Sequence, residues 1–279
     1  MKTAKIPAPP VLEISYQGSG PLVLFVHGLG GERSSWSDQL EACASRFTAV
    51  SLDLRGYGGS ADYIGELDFK ADFSNDILRV LEYFRVKRAH LVGLSMGSRV
   101  ARWTAVLHPG RIASLVLANT SPGFDHMSPS EGETFVSERS ASLQEPGYTV
   151  ERFAAKQIDA MLGSSPDPQA AGKALAGMTK LRTETYLKTL RASTAQDRGC
   201  RIEEITCPTL IVAGSEDRVY PPRLGEAMRS RIPDAEMRLI PGAGHLSNLE
   251  QPAAFNQLLL DFLQRQPALP EAVPPSSTH

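Results

Sequence analysis

The sequence contains little cysteine and no long hydrophobic run. Three cysteines, Cys43, Cys200 and Cys207, occur in 279 residues, and no pair has C-x-x-C spacing. An odd number of thiols without that spacing argues against a disulfide framework and is typical of reduced cysteines in a cytoplasmic protein. The longest apolar stretch, Leu22–Val26, is far too short to cross a bilayer, and residues 1–10 lack the apolar segment of a signal peptide. We therefore expect a cytoplasmic location.

The sequence also lacks an excess of basic charge. It has 29 Lys and Arg residues against 31 Asp and Glu residues, which gives a formal net charge of −2, and it contains no basic run. This balance argues against binding to nucleic acid or to an anionic membrane surface. The expected partner is a small molecule, and the sequence does not specify an oligomeric state.

Motifs for metal ions and for phosphates are missing as well. No H-E-x-x-H motif occurs, and His108 and His126 have no partners at metal-ligand spacing. The glycine-rich residues 56–60 do not match the phosphate-binding pattern G-x-x-x-x-G-K-[ST]. We therefore expect no metal and no other cofactor.

Strand and helix patterns alternate regularly along most of the chain. The strand patterns cover residues 11–16, 22–26, 48–54, a short run before Gly93, 113–118, 209–213 and 235–240, and the main helical patterns cover 36–45, 73–84, 98–107 and 252–265. This alternation is typical of βαβ units. It predicts an α/β fold with a mainly parallel central sheet flanked by helices.

The alternation stops between residues 120 and 199. Helical patterns cover residues 129–143, 150–162, 168–180 and 184–191, and no convincing strand interrupts them. The sequence therefore predicts a core formed by residues 1–119 and 200–266, with an all-helical cap at 120–199. Residues 267–279 are rich in Pro and Ser and are predicted to form a disordered tail.

The segment Gly93-Leu94-Ser95-Met96-Gly97 lies between a predicted strand and a predicted helix. A G-x-S-x-G motif in that setting forms a nucleophile elbow, in which the serine hydroxyl is exposed at the turn. Gly93 and Gly97 allow the strand and the helix to approach closely. We predict that Ser95 is a nucleophile rather than an ordinary turn serine.

Two further polar residues follow later strands of the predicted sheet. Asp217 follows the strand at 209–213, and His245 follows the strand at 235–240. Because the carboxyl ends of parallel strands meet at one edge of a sheet, Ser95, Asp217 and His245 are predicted to converge there. His245 would take the proton of Ser95, and Asp217 would orient His245.

Other residues could supply the acid of this arrangement. Asp197 and Glu216 are alternatives to Asp217. The position that follows the strand at 113–118 holds Asn119, which cannot serve as a carboxylate. We predict Asp217 as the acid because it follows a strand after a short glycine-containing loop.

The loop at residues 27–31 is the second element expected around the nucleophile. The backbone N–H groups of Leu29 and Met96 are predicted to hold a developing oxyanion. His27 is predicted to order this loop rather than to transfer protons. The candidate substrate-binding residues are His27, Gly28, Phe124, Met127, Phe153 and Met161.

Several charged residues have two alternative interpretations. Asp53 and Arg55 are predicted to form a structural pair rather than a catalytic one. The basic residues of the insertion are interpreted as solvated helix faces, of which one or two could instead hold a substrate carboxylate. These residues are Arg139, Arg152, Lys180, Arg182, Arg191 and Arg198.

Taken together, these motifs resemble the α/β-hydrolase superfamily over nearly the whole chain. The matching segments are residues 27–28, 53–60, 93–97, 214–217 and 244–245. Within the superfamily, residues 93–97 and 205–252 look most like the 3-oxoadipate enol-lactonases. Ser98 departs from that pattern, since many members have a second glycine there. The resemblance implies an α/β-hydrolase fold and cofactor-free hydrolysis, in the cytoplasm, of a small lactone that carries a carboxylate.

These predictions describe a carboxylic ester hydrolase that cleaves a small ester or lactone through an acyl-enzyme on Ser95. The same three residues could also serve a C–C bond hydrolase of aromatic ring-cleavage products, or a perhydrolase or haloperoxidase-like activity. A ligand-binding receptor on a hydrolase scaffold is the alternative that is not an enzyme. A complete triad argues against the receptor, because binding alone does not require all three residues.

Overall fold

The computed structural model describes residues 1–273, which form an α/β fold around an eight-stranded sheet. The strands are β1 (Lys2–Ile6), β2 (Leu12–Gln17), β3 (Leu22–Val26), β4 (Thr48–Asp53), β5 (Ala89–Leu94), β6 (Ile112–Ala118), β7 (Thr209–Gly214) and β8 (Ala235–Ile240). Their order across the sheet is β1-β2-β4-β3-β5-β6-β7-β8. The β1–β2 and β2–β4 pairs are antiparallel, and all other pairs are parallel. The prediction of a mainly parallel sheet is confirmed.

The helices flank this sheet and also form an insertion. They are α1 (Ser37–Cys43), α2 (Ala71–Tyr83), α3 (Met96–Leu107), α4 (Pro129–Gln144), α5 (Val150–Met161), α6 (Pro168–Met178), α7 (Thr183–Gln196), α8 (Pro222–Arg229), α9 (Ser247–Glu250) and α10 (Pro252–Gln264). Helices α4 to α7 lie between β6 and β7 in the chain, and the described residues between these two strands form no strand. No helix within residues 1–273 is long and apolar enough to cross a membrane.

The core lies on both faces of the sheet. Every residue of β3 is buried, because its alternate side chains pack against helices on opposite sides. Leu22, Leu24 and Val26 belong to a cluster with side chains of α2 and α3, whereas Val23 and Phe25 belong to a cluster with α1 and α10. A strand covered on both faces has a continuous apolar sequence rather than an alternating one.

The two ends of the chain differ from the sequence prediction. Strand β1 was missed, because its sequence Lys-Thr-Ala-Lys-Ile is largely polar and the strand lies exposed at the sheet edge. The predicted disordered tail begins at residue 267, but the chain is held against the core near its described end. The N–H of Ala272 donates to the carbonyl of Gly20 at 2.9 Å, and that of Val273 to Phe84 at 3.2 Å. Residues 274–279 lie outside the described residues.

Candidate active site

Ser95 lies at a tight turn between β5 and α3. Its backbone has φ 55° and ψ −116°, a conformation that non-glycine residues rarely adopt. A Cβ atom at Gly93 would lie 2.4 Å from the carbonyl carbon of Gly97, and one at Gly97 would lie 2.2 Å from the carbonyl oxygen of Val26. Only glycines at these two positions allow strand and helix to approach this closely, as the G-x-S-x-G pattern predicts.

Three side chains form a continuous hydrogen-bonded chain at the carboxyl edge of the sheet. The Ser95 hydroxyl lies 2.9 Å from Nε2 of His245. Nδ1 of His245 lies 2.8 Å from Oδ2 of Asp217. Because a carboxylate can only accept, the Nδ1 atom carries the proton, which leaves Nε2 free to accept the proton of Ser95. The structure therefore brings together the three residues predicted from the sequence.

Asp217 is buried and held by several donors. Oδ1 accepts from the N–H groups of Val219 and Tyr220, each at 2.8 Å, and Oδ2 also accepts from the Asn119 side-chain amide at 2.9 Å. Burial raises the pKa of Asp217, but the facing His245 and these hydrogen bonds outweigh burial, so its pKa lies below the ordinary value. The carboxylate therefore stays ionised beside the imidazole. Asn119 was expected only to be unable to serve as the carboxylate, and its role as a donor to Asp217 was not predicted.

The loop that carries His245 is attached to the insertion. The N–H of His245 donates to the carbonyl of Met161, at the end of α5, at 2.7 Å. The buried carboxylate of Glu250 accepts from the N–H groups on both sides of the histidine, at Gly244 (3.1 Å) and Leu246 (3.0 Å). It also accepts from the N–H of Gly163, just beyond α5, at 2.7 Å. Glu250 therefore fixes the histidine loop and joins it to the insertion.

His27 orders the loop that faces Ser95 and does not line the two cavities around Ser95. Its side chain is buried, with Nδ1 donating to the carbonyl of Gly28 at 2.8 Å and Nε2 accepting from the N–H of Leu54 at 3.1 Å. Burial lowers the pKa of His27, so the ring is neutral, and both ring nitrogens are already engaged. The structural role predicted for His27 fits this geometry, whereas its place among the substrate-binding candidates was wrong.

The candidate oxyanion donors lie beside the nucleophile. Leu29 and Met96 both line a cavity that also contains Ser95 and His245. The N–H of Met96 is the first of α3 and has no acceptor within the helix. The N–H of Leu29 donates to no carbonyl among the described residues. Both groups are therefore available to an oxygen bound in this cavity.

Two small cavities meet at Ser95 and His245. The first, the Lys173 cavity, is lined by the loop 28–32, by α5 and α6, and by the histidine loop; its charged lining residues are Glu32 and Lys173. The second, the Arg99 cavity, is lined by Arg99, Phe124, Phe135, Arg139, Gln157, Tyr186 and Tyr220 together with residues next to the triad. A substrate bound at Ser95 can therefore extend in two directions.

The predicted substrate-binding residues are only partly in these cavities. Gly28 lines the Lys173 cavity, Phe124 lines the Arg99 cavity, and Met161 lines both. Met127 and Phe153 line neither of the two. Phe153 is fully buried and packs edge-on against Tyr186, so it belongs to the core of the insertion.

The predicted pair between Asp53 and Arg55 is wrong. Asp53 instead binds Arg33, through its guanidinium and its N–H, and also accepts from the N–H of Gly59 at 2.7 Å. Arg55 binds Asp76, at 2.7 and 2.8 Å, and Asp72 at 2.6 Å. Residues two apart share a face only within a strand, and Arg55 lies beyond the end of β4, so proximity in sequence did not give proximity in space.

Three of the six basic candidates in the insertion bind other groups of the protein. Lys180 binds Glu32, Arg182 donates to the carbonyls of Gly58 and Ser60, and Arg198 donates to the carbonyl of Met127. Of the six basic candidates, Arg139 alone lines a cavity that contains Ser95.

Asp197, the alternative acid, lies elsewhere and does not contact His245 in the described structure. Its carboxylate accepts from Arg99 at 2.9 Å, from the Trp103 indole at 2.6 Å and from Arg102. Arg99 lines the second cavity, together with Ser95. It lies on the core helix α3, whereas the basic residues predicted to bind a substrate carboxylate were all in the insertion.

Comparison with known proteins gives the same fold. The family model for the alpha/beta hydrolase fold matches residues 21–252. The chain is 28% identical over 259 residues to 3-oxoadipate enol-lactonase 1 of Acinetobacter baylyi, covering 91% of this chain and 92% of that protein.

Solved structures are similar over nearly the whole chain. A hydrolase from Pseudomonas aeruginosa has a TM-score of 0.83 at 27% identity, covering 94% of this chain and 98% of that one. A thermophilic esterase from Thermogutta terrifontis has a TM-score of 0.81 at 28% identity, covering 95% and 99%. With its elbow at Ser95 and a family match from residue 21 to residue 252, this chain belongs to the α/β hydrolase fold family.

Proposed function

We propose that this protein is a serine hydrolase that cleaves a small ester or lactone through an acyl-enzyme on Ser95. The observation that carries the proposal is the unbroken chain from Ser95 through His245 to Asp217, with contacts of 2.9 and 2.8 Å. A serine hydroxyl is a weak nucleophile at neutral pH unless a base accepts its proton as it attacks. The similarity to a 3-oxoadipate enol-lactonase and to an esterase supports carboxylic esters and lactones as the substrate class.

The first half-reaction forms the acyl-enzyme. The Ser95 oxygen attacks the carbonyl carbon while Nε2 of His245 accepts the hydroxyl proton. The negative charge that develops on the carbonyl oxygen is held by the N–H groups of Leu29 and Met96. The C–O bond to the leaving oxygen then breaks, and His245 returns the proton to that oxygen. For a lactone the leaving oxygen stays attached to the acyl chain.

The second half-reaction regenerates the serine. His245 accepts a proton from a water molecule, which attacks the acyl carbon, and the Ser95–acyl bond breaks as the proton returns to Ser95. Asp217 keeps its negative charge throughout and stabilises the imidazolium that forms in each half-reaction. The proposed partner is a small molecule. The proposed location is the cytoplasm, which is consistent with three buried cysteines that form no disulfide in the described chain.

Hydrolysis of two substrates by purified protein tests this proposal. A p-nitrophenyl ester of a short acid and an enol-lactone are each followed with wild type and with Ser95→Ala. We expect turnover of at least one substrate and a loss of about 10⁴-fold or more in Ser95→Ala, with an unchanged circular dichroism spectrum. Comparable turnover by the Ser95→Ala protein would overturn the nucleophile. Turnover of neither substrate, with Ser95 still labelled by a fluorophosphonate, would overturn the ester and lactone class.

A further inference from the structure

Arg99 lies one helical turn beyond Ser95, and both residues line the same cavity. Its side chain is only 4% exposed. The guanidinium carbon lies over two aromatic rings, 4.8 Å from the centre of Phe124 and 5.6 Å from that of Phe69. Contacts with two rings restrict the orientation of the guanidinium.

The charge around Arg99 is not balanced by the protein. Arg99 and Arg102 share a single carboxylate, that of Asp197. Burial raises the pKa of Asp197, but the two guanidiniums outweigh burial and lower it, so this group stays ionised. Two guanidiniums and one carboxylate leave one positive charge buried. The lining of the Arg99 cavity adds a second cation, Arg139, and includes neither Asp nor Glu.

The guanidinium of Arg99 also has an unused donor. Its Nη1 atom binds Asp197, whereas its Nε atom is buried and has no hydrogen-bond partner among the described residues. Buried polar groups are nearly always paired. The Nε atom of Arg102 is unpaired as well, but of these two arginines only Arg99 lines the cavity that contains Ser95, where a ligand could supply an acceptor. A carboxylate on a ligand would supply both the negative charge that balances the second guanidinium and an acceptor for Arg99.

We propose that Arg99 binds a carboxylate carried by the substrate and thereby determines specificity, with Arg139 as a second positive charge in the same cavity. This inference rests on the proposed function, since it places the carboxylate on a molecule that reacts at Ser95. The residue responsible belongs to the core helix α3 and not to the insertion. The substrate is then an anionic ester or lactone with its carboxylate separate from the reacting carbonyl.

Matched pairs of esters test the specificity. On the acyl side, p-nitrophenyl hydrogen glutarate is compared with p-nitrophenyl valerate; on the alcohol side, 4-carboxyphenyl butyrate is compared with phenyl butyrate. We expect wild type to prefer the anionic member of at least one pair. In Arg99→Gln the ratio of kcat/KM within that pair should fall by about 10- to 100-fold, the range for a hydrogen bond to a charged group. A ratio that stays within about threefold of wild type in both pairs would overturn the proposal.

Arg102→Gln is the matched control. Arg102 binds the same Asp197 carboxylate and is fully buried, but it does not line the Arg99 cavity. Damage that results only from the loss of a partner for Asp197 would affect both variants alike, whereas a binding role changes the ratio in Arg99→Gln alone. Arg99→Lys keeps the charge beside Asp197 and should retain part of the preference if Arg99→Gln does not fold.

A binding measurement separates this inference from the proposed function. Calorimetry with glutarate uses Ser95→Ala, which needs no turnover, and the double variant with Arg99→Gln. Glutarate binding that weakens about 10-fold or more in the double variant supports the anion site even if no ester is hydrolysed. Equal binding by both proteins overturns the site, even if the esters are hydrolysed through Ser95.

Discussion

Substitution of Glu250 by Gln tests whether the position of His245 depends on one buried carboxylate. Glu250 is 1% exposed and accepts three backbone N–H groups, those of Gly163 (2.7 Å), Gly244 (3.1 Å) and Leu246 (3.0 Å). Oε2 accepts the first two and Oε1 accepts the third. A glutamine can keep its oxygen toward Gly163 and Gly244, but its NH₂ group then faces the N–H of Leu246.

The expected loss follows from these three contacts. A hydrogen bond to a charged group contributes about 1.5–3 kcal/mol and a neutral one about 0.5–1.5 kcal/mol, so the two retained bonds each weaken by about 1 kcal/mol. The donor of Leu246 is left unpaired in the interior, at a cost of about 1–3 kcal/mol. The free energy of unfolding should therefore fall by about 3–5 kcal/mol, which lowers Tm by about 6–10 °C in a chain of this size.

Thermal unfolding and steady-state kinetics together measure this effect. Because Gly244 and Leu246 flank His245, the proposed general base, kcat should fall more than KM changes. Glu216→Gln is the control, since Glu216 also connects the core to the insertion, through the N–H (2.6 Å) and hydroxyl (3.0 Å) of Ser164, but at an exposed contact. Its Tm should stay near that of wild type. If Glu250→Gln unfolds within 2 °C of wild type with the same kcat, the carboxylate does not position the loop.

Two further predictions concern the triad acid and a buried histidine. Asp217→Asn should lower kcat by about 10⁴-fold in ester hydrolysis, because the amide cannot stabilise the imidazolium. Asp197→Asn should instead lower the free energy of unfolding in urea by about 3–5 kcal/mol, because the buried guanidiniums lose their counter-charge. The reverse pattern would make Asp197 the triad acid. Burial, with a smaller effect of Arg88, lowers the pKa of His90 from 6.5 to about 4. The unfolded chain therefore takes up this proton at higher pH than the folded chain, and stability falls by about 3 kcal/mol as the pH drops from 6.5 to 4. His90→Gln should remove that part of the decline in urea unfolding at pH 7, 6 and 5, and an identical decline in the variant would refute the assignment.

The central features of the fold and the triad could be predicted because their determinants are local. The strand-turn-helix pattern around Ser95 requires glycines on both sides, and parallel strands place Asp217 and His245 at the same edge. These relations need only the order of elements and the residue that follows each strand.

The rest of the site depends on contacts between residues that are far apart in sequence. Arg99 has the pattern of any helical arginine, and its partner Asp197 is 98 positions away. Asn119 and Glu250 act through hydrogen bonds to Asp217 and to backbone groups of the histidine loop. The direction of a side chain and the packing of the insertion over the sheet decide these contacts, and neither follows from a single sequence.

Labelling with a fluorophosphonate, located by peptide mass spectrometry, tests the central claim most directly. We expect one adduct, on Ser95, that is absent in Ser95→Ala and forms much more slowly in His245→Ala. Absence of an adduct in the folded wild-type protein, or an adduct that persists in Ser95→Ala, would contradict an activated serine at this elbow.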